Sequence, residues 1–149
     1  MSQQASFIRT VVREPIEREA TRIAPLAVLP VFFGLAGKTA IVAGGSDAVA
    51  WKAELLVAAG ARVALYAPAE AVGEHLARLL ACDQGGGRIT LHDQVWTPDV
   101  FSGAAIAVAD AQTEAEARAF HAAAKAAAVP TNIVDRPTYC DFQFGTIVN

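Results

Sequence analysis

The fold of this chain is decided by the stretch Thr39-Ala40-Ile41-Val42-Ala43-Gly44-Gly45-Ser46-Asp47-Ala48-Val49. Its first five residues form an apolar run without polar alternation, which is typical of a strand buried on both faces of a sheet. The two glycines predict a tight turn, and Asp47 is predicted to cap a helix that continues to about Ala59 and ends at Gly60. The stretch therefore predicts a strand, a glycine-rich turn and a helix in immediate succession.

The same alternation of strands and helices continues along the chain. Further strands are predicted over Arg62–Tyr66, Arg88–His92, Ala104–Ala109 and Thr131–Val134, and further helices over Ala71–Leu80 and Thr113–Ala128. Gly85–Gly87 predicts a turn. Strands that alternate with helices build βαβ units, whose parallel strands end at a common rim where ligands bind. We therefore expect an α/β fold with a Rossmann-like, doubly wound parallel sheet.

The composition excludes several classes of protein. Apolar residues make up 54% of the 149 residues and charged residues 18%, so the chain is too hydrophobic for disorder and long enough for one domain with a buried core. The net charge of −3 provides no basic surface for nucleic acid or an anionic membrane. No apolar run is long enough to span a bilayer, and the amino terminus lacks the pattern of a secretory signal.

The cysteines and histidines do not predict a metal site. Cys82 and Cys140 lack metal-ligand spacing, and two cysteines in a chain that can build a core do not indicate a disulfide scaffold. His75, His92 and His121 lie in a helix, a strand and a helix without a shared spacing. We therefore expect no resident metal ion and a location in the reducing cytoplasm.

Three regions are predicted along the chain. Residues 1–28 form an N-terminal extension with a short helix between Pro15 and Pro25, and residues 29–136 form the Rossmann-like domain. Residues 137–149 begin an interaction or dimerisation segment, in which Phe142–Val148 is predicted to start a further strand. Because that strand is apolar, we expect it to need a partner, supplied by a homodimer or a larger assembly.

The glycine-rich turn is the candidate site for a nucleotide. Glycines between a first strand and a helix let the backbone approach a pyrophosphate, and the helix N-terminus supplies free N–H groups. Against the pattern G-x-G-x-x-G/A, Gly44 fits, whereas Ser46 replaces the second glycine and Val49 replaces the last small residue. The turn either binds a dinucleotide or only packs the strand on the helix. No acidic residue ends the second strand, so the usual ribose-binding carboxylate is missing unless Glu70 reaches back.

The cofactor to which this pattern points is a dinucleotide. The residues expected to bind it lie in the glycine-rich turn, after the second strand and at the end of strand 104–109: Gly44, Gly45, Ser46, Asp47, Ala48, Pro68, Ala69, Ala109 and Asp110. Asp110 either lines the cofactor cleft or caps the helix that follows it. We favour a position in the cleft.

Several separated motifs occur in one order along the chain. They are Leu29-Pro30-Val31-Phe32-Phe33, Gly44-Gly45-Ser46-Asp47, Lys52 with Leu55-Leu56, Ala59-Gly60-Ala61-Arg62-Val63, Ala109-Asp110, Asn132-Ile133-Val134-Asp135 and Cys140-Asp141-Phe142-Gln143-Phe144-Gly145 with Ile147-Val148-Asn149. Together they resemble the N-terminal part of siroheme synthase, the precorrin-2 dehydrogenase and sirohydrochlorin ferrochelatase module, over about residues 29–149.

The resemblance implies a function and a catalytic residue. It implies NAD-dependent oxidation of the tetrapyrrole precorrin-2 to sirohydrochlorin, followed by insertion of ferrous iron to give siroheme. It also implies that the carboxylate of Asp135 serves both steps, first taking a proton during the oxidation and then accepting pyrrole protons as the metal enters.

Three residues near the implied site have a second interpretation. Asp135 either acts on protons or caps a turn before Pro137. Cys140 either contacts the substrate or is a small buried hydrophobe. Lys52 is either a surface lysine or a ligand to a carboxylate. Because precorrin-2 is a polycarboxylate, its site should offer cations, and the candidates are Arg136, Lys52 and Arg88.

The family's chain normally continues through strands that build a dimer and a helical domain that closes the site. We therefore expect a module truncated before those domains, which is complete as an enzyme only with further sequence or subunits. The alternative is a catalytically inactive Rossmann-like domain that serves as a structural or regulatory subunit of a larger assembly.

Overall fold

A computed structural model describes residues 23–83 and 88–146. These residues contain five strands, three α-helices and three short 3₁₀ turns. The strands and α-helices are β1 (Thr39–Ala43), α1 (Asp47–Ala58), β2 (Arg62–Tyr66), α2 (Glu74–Cys82), β3 (Ile89–His92), β4 (Ile106–Ala109), α3 (Glu114–Ala126) and β5 (Thr131–Ile133). The 3₁₀ turns are Ala69–Ala71, Pro98–Phe101 and Pro137–Tyr139.

All five strands are parallel and pair in the order β3-β2-β1-β4-β5. The chain builds outward from β1 to β3, then crosses back to place β4 on the other side of β1. The carboxyl ends of β1 and β4 therefore lie together at the point where the direction changes, which is where open α/β sheets bind ligands. The predicted Rossmann-like parallel sheet is confirmed.

The sheet separates two apolar clusters, because successive side chains of a strand point to opposite faces. Within β1, Ala40 and Val42 belong to the cluster under α1 and α2, whereas Ile41 and Ala43 belong to the cluster under α3. Helices on both faces make the sheet doubly wound, as predicted. The residues predicted to face inward from α1 are all buried: Val49, Ala53 and Leu56.

Two predicted helix starts are wrong. The N-cap of α1 is Ser46, whose hydroxyl oxygen accepts a hydrogen bond from a first-turn N–H group at 3.3 Å, and Asp47 is the first helical residue. The helix predicted from Ala71 begins only at Glu74, because the preceding residues form a 3₁₀ turn and the backbone at Gly73 is extended. The bounds of β1 and β2 are as predicted, and the other predicted element ends lie within two residues of the observed ones.

The chain divides into two compact units, residues 1–32 and residues 33–149, and the sheet lies in the second. The described part of the first unit, residues 23–32, contains no helix or strand. The helix predicted between Pro15 and Pro25 falls almost wholly outside the described residues, and the turn predicted at Gly85–Gly87 falls outside them entirely. Every helix within residues 23–83 and 88–146 is too short or too polar to cross a membrane.

The strand predicted over Phe142–Val148 is wrong for residues 142–146, which form no strand, and the remaining two residues lie outside the described part. Phe142 and Phe144 instead pack on the α1 face of the core. The side-chain amide of Asn132 donates a hydrogen bond to the carbonyl oxygen of Phe142 at 2.9 Å. These aromatic side chains are therefore partly buried within their own domain, whereas the sequence analysis expected a partner chain to cover them.

The outer edge of β5 is occupied by residues 140 and 141. The N–H of Thr131 donates to the Asp141 carboxylate at 2.9 Å, and the N–H of Asp141 donates to the Thr131 carbonyl oxygen at 2.8 Å. Two positions further, the Cys140 sulfur lies 3.2 Å from both the N–H nitrogen and the carbonyl oxygen of Ile133. The Asp141 carboxylate and the Cys140 thiol thus bond the edge of β5 at which a sixth strand would pair.

Candidate functional site

Gly44 brings the glycine-rich turn into contact with the end of β4. Its φ of +107° lies in a region that side chains disfavour, and an added Cβ would lie 3.1 Å from the Asp110 carbonyl oxygen. The N–H of Gly44 donates to the carbonyl oxygen of Tyr66 at 3.0 Å, and that of Asp110 donates to the carbonyl oxygen of Ala43 at 2.9 Å. The turn is therefore fixed between the carboxyl ends of β2 and β4.

Asp110 lies against this turn and does not cap α3. The N-cap of α3 is Thr113, whose hydroxyl accepts from the Glu116 N–H while the Glu116 carboxylate accepts from the Thr113 N–H, each at 3.2 Å. The Asp110 carboxylate is bonded only loosely, by the side-chain amide of Gln112 at 3.4 Å. The capping alternative is wrong, and the backbone and Cβ of Asp110 lie against Gly44.

Gly45 packs against the loop between β2 and α2. An added Cβ at Gly45 would lie 2.0 Å from the carbonyl oxygen of Ala71, which no side chain can tolerate without a backbone shift. The N–H of Gly73 donates to the carbonyl oxygen of Gly45 at 2.9 Å. The sequence left open whether this turn binds a dinucleotide or serves only for packing. Packing is a sufficient reason for a glycine at position 45, and Gly44 is packed against Asp110.

The N-terminus of α1 still carries free donors. Ser46 satisfies one first-turn N–H group with its hydroxyl oxygen. The N–H groups of Asp47 and Ala48 have no intrahelical acceptor, because they belong to the first turn, and both residues are exposed. Together with the positive end of the helix dipole, they offer a position for a phosphate group.

The rim beside Pro68 and Ala69 carries a carboxylate that the sequence analysis did not find. The N–H of Ala69 donates to the Asp93 carboxylate at 2.7 Å. Asp93 directly follows β3, which pairs with β2. Its position at the end of a neighbouring parallel strand is the feature of the sequence from which its place at this rim could have been predicted. Glu70 lies in the adjacent 3₁₀ turn and is exposed. Asp93 thus places a carboxylate beside the residues that follow β2.

Asp135 follows β5 and opens into a shallow cavity of about 230 Å³. Its φ of +54° is left-handed, and it is exposed. The N–H of Val134 donates to the carbonyl oxygen of Ala109 at 2.9 Å, which joins this turn to the end of β4. None of the side-chain hydrogen bonds in the described part of the chain involves the Asp135 carboxylate, so the structure shows no capping bond for it. The cavity is lined by Lys52, Asn132, Ile133, Val134, Asp135, Arg136, Pro137, Cys140 and Gln143.

Lys52 reaches this cavity from α1. It is half-buried, and its ammonium lies 4.2 Å from the centroid of the Phe144 ring. Burial lowers the pKa of Lys52, while the nearby Cys140 and Asp135 oppose that change. The structure therefore brings together Lys52 and Asp135, two residues far apart in the sequence.

The two arginines expected to supply further cations are engaged elsewhere. The Arg136 guanidinium lies 3.0 Å from the Glu114 carboxylate and also donates to the carbonyl oxygens of Ala111 and Gln112, each at 3.4 Å. Arg88 precedes β3, at the opposite rim of the sheet, and pairs with a carboxylate of the α2–β3 loop at 3.8 Å. Arg136 therefore anchors the turn after Asp135, and Arg88 does not lie at the site.

Cys140 lines the cavity but is held by the backbone. Besides its contacts with Ile133, its sulfur lies 3.4 Å from the carbonyl oxygen of Arg136. The side-chain amide nitrogen of Asn132 lies 3.6 Å from the same sulfur, and the amide oxygen of Asn132 is buried without a hydrogen-bond partner in the described residues. The thiol thus fixes the turn that carries Asp135.

A second cavity of about 310 Å³ lies between α1 and α2. It is lined by Glu54, His75, Arg78, Leu79 and Cys82. Across residues 23–83 and 88–146, no three histidine, cysteine or acidic side chains lie close enough together to hold a metal ion. None of the residues that line this cavity is among the predicted site residues.

Comparison with known proteins agrees with this geometry. Over 120 residues the chain is 34% identical to the siroheme synthase of Psychrobacter sp. (strain PRwf-1), covering 80% of this chain and 23% of the relative. Over 122 residues it is 34% identical to the siroheme synthase of Thiobacillus denitrificans (strain ATCC 25259 / T1), covering 81% of this chain and 24% of the relative. The chain thus spans about a quarter of the length of these curated relatives, and the resemblance to siroheme synthases is confirmed.

A solved structure and a family agree on the fold. The structure of SirC, a precorrin-2 dehydrogenase, superposes with a TM-score of 0.52 at 16% sequence identity, covering 81% of this chain and 54% of that chain. Residues 31–146 match the family described as "Putative NAD(P)-binding". The match extends over the glycine-rich turn, all five strands and the turn that carries Asp135, and the chain therefore belongs to this family of NAD(P)-binding domains.

Proposed function

We propose that the chain is the NAD-binding part of an enzyme that oxidises precorrin-2 to sirohydrochlorin and then inserts ferrous iron. The observation that carries the proposal is the arrangement of the rim. The free N–H groups of α1 and the exposed carboxylate of Asp135 lie on either side of β4, whose carboxyl end contacts both turns. A nucleotide and a second ligand could therefore meet above Ala109 and Asp110.

The residues at the rim fit the cofactor. The glycine-rich turn and the N–H groups of Asp47 and Ala48 would hold its pyrophosphate, with Pro68 and Ala69 on the ribose side. Bound NAD would supply the acceptor for a hydride. The acidic side chains of this rim favour NAD over NADP, because a 2′-phosphate would add like charge: Asp47, Glu70, Asp93 and Asp110.

Asp135 has the properties of a proton acceptor. Its carboxylate is free of hydrogen bonds from the described residues, so a proton can be bound without breaking an existing contact. In the oxidation, precorrin-2 loses a hydride and a proton, and Asp135 takes the proton. In the chelation, ferrous iron displaces two pyrrole N–H protons, which Asp135 accepts in turn and releases to water.

The cavity is too small to enclose a tetrapyrrole, which supports a site that is completed by a second chain. About 230 Å³ is below the range of about 300–1,000 Å³ that small-molecule pockets usually occupy. A tetrapyrrole at Asp135 would need further walls. The proposal therefore includes a homodimer or a larger complex that completes the site.

The test is the single change Asp135→Asn in the full assembly that carries the activity. We expect it to lower the rates of precorrin-2 oxidation and of iron insertion by about 10²- to 10⁴-fold, because the amide keeps the shape but cannot take a proton. NAD affinity, measured by calorimetry, should stay within twofold. Asp99→Asn is the matched control, because this carboxylate is exposed in a remote 3₁₀ turn. Full activity of the Asp135 variant would remove the residue from the mechanism.

A second candidate function is a domain without catalysis that serves as a structural or regulatory subunit. The observation that favours it is the close packing of Gly45 against Ala71, which uses the glycine for the fold rather than for a ligand. The same assay separates the two functions. Bound NAD together with an equal rate for the assemblies that contain wild type and Asp135→Asn would support the second candidate.

A further inference from the structure

The cavity at Asp135 contains one cation that is not committed to another group. Arg136 is held by Glu114 and by two carbonyl oxygens, as described above. None of the ion pairs among the described residues involves Lys52, and its ammonium makes no hydrogen bond there. Lys52 therefore offers a positive charge at the cavity without first having to break an ion pair.

The position of this charge is fixed by an aromatic cluster. The Phe144 ring lies 4.2 Å from the Lys52 ammonium, within the range of a cation–π interaction. Phe144 packs on Phe142 with ring centroids 5.6 Å apart, and Phe142 packs on Phe33 at 5.4 Å. The bond from Asn132 to the Phe142 carbonyl oxygen ties this cluster to β5. The ammonium thus contacts an aromatic ring that is itself packed in the domain.

The helix places the same charge next to the proposed nucleotide site. Ala48 and Lys52 are four residues apart on α1, so they lie one turn from each other on the same helix face. Lys52 therefore lies one helical turn from the first-turn N–H groups of α1 and lines the same cavity as Asp135.

We propose that Lys52 is a specificity residue that binds a peripheral carboxylate of the tetrapyrrole and so orients the macrocycle towards Asp135. The inference rests on the proposed function and adds to it the group that recognises the ligand's negative charge. Without a cation, the Asp135 carboxylate would repel a polycarboxylate ligand. With Lys52 in place, one ligand carboxylate is paired and the ring is held beside the proton acceptor.

The test uses uroporphyrin III, a stable octacarboxylate, and its octamethyl ester as probes, titrated into the same full assembly as the Asp135 test, with fluorescence quenching as the readout. The variants are Lys52→Met, which keeps the packing on Phe144 without the charge, and Lys52→Arg, which keeps the charge. Lys125→Met is the matched control, because this lysine is exposed on α3, on the other face of the sheet. Circular dichroism of each variant confirms that it is folded.

We expect Lys52→Met to weaken binding of the acid about tenfold and Lys52→Arg to restore it to within threefold of wild type. Binding of the acid to wild type should weaken with added salt more steeply than binding to Lys52→Met, and the ester should not distinguish the two proteins. Equal affinity of wild type and Lys52→Met for the acid would overturn the inference and leave the proposed function standing. Failure of wild type to bind the acid would count against the tetrapyrrole function and the inference together.

Discussion

At the scale of single residues, the glycines of the rim show how one residue type serves two requirements. Gly44 is needed for its positive φ, whereas Gly45 is needed because the Ala71 backbone occupies the space of a side chain. The glycine pattern in the sequence is typical of phosphate binding, but the backbone contact is a sufficient reason for Gly45. A mutation at Gly45 therefore tests packing before it tests cofactor binding.

We expect Gly45→Ala to destabilise the fold by about 2 kcal/mol or more, because the added Cβ meets a backbone carbonyl oxygen that cannot rotate away. Urea denaturation followed by circular dichroism measures the change. Gly145→Ala is the matched control, since an added Cβ there meets nothing within 4 Å, and its free energy of unfolding should change by less than about 0.5 kcal/mol. Equal stability of the two variants would contradict the packing role.

At the scale of elements, α3 ends in an unusual way. The N–H of Val129 donates to the carbonyl oxygen of Ala124 at 2.9 Å, which closes the helix over a residue in the left-handed conformation. That residue is Ala128, with φ +57°, where glycine is usual. The Cβ of alanine raises the energy of this conformation by about 1–2 kcal/mol.

We expect Ala128→Gly to stabilise the protein by up to about 1 kcal/mol, because relief of the left-handed strain exceeds the added flexibility of the unfolded chain. The neighbouring change Ala127→Gly is the control. Ala127 has φ −91°, so glycine brings no relief there and should destabilise by about 0.5–1 kcal/mol. Thermal unfolding of both variants decides the matter, and a lower melting temperature for Ala128→Gly would show that the strain is absent.

At the scale of the whole molecule, charge is distributed unevenly around the rim. The proposed nucleotide side carries the acidic side chains, of which Asp93 accepts a hydrogen bond from the Ala69 N–H. The proposed tetrapyrrole side carries Lys52. A chain with a net charge of −3 thus presents a cation where a polycarboxylate is proposed to bind and acids where the cofactor ribose is proposed to lie.

From this distribution we expect NAD to bind at least tenfold more tightly than NADP. Asp93→Asn should narrow the difference by raising NADP affinity, since the 2′-phosphate no longer meets a full negative charge beside Ala69. Calorimetry with both nucleotides measures the ratio, and Asp99→Asn serves as the control of equal charge. A ratio that does not move in the Asp93 variant would place the ribose elsewhere.

The sequence was sufficient for features that depend on local periodicity. The apolar run of β1, the helical spacing of Val49, Ala53 and Leu56, and the glycine that ends α1 each have a local physical cause, and all were predicted. The same patterns predicted that the carboxyl ends of the strands would meet at one rim. The parallel direction of the strands was predicted from the alternation of strands and helices.

Contacts between distant parts of the chain could not be predicted in this way. Lys52 occupies a polar position of α1, and only the fold of Phe144 onto that helix makes it part of a cavity. Asp93 acquires its relation to Ala69 through the pairing of β2 with β3. Arg136 has the charge expected of a residue that binds an anionic ligand, but its guanidinium forms an ion pair with Glu114. Periodicity identifies the buried face of an element and not the partner of an exposed side chain.

The closed edge of β5 has a consequence for the protein in concentrated solution. Exposed edge strands are templates for the stacking of further chains, and this leads to aggregation. Here the outward N–H and carbonyl groups of Thr131 and Ile133 are already bonded by Asp141 and Cys140. A neighbouring molecule therefore finds no free hydrogen-bonding groups on these two residues, so cross-β growth is blocked on this side of the sheet without a proline or a covering helix.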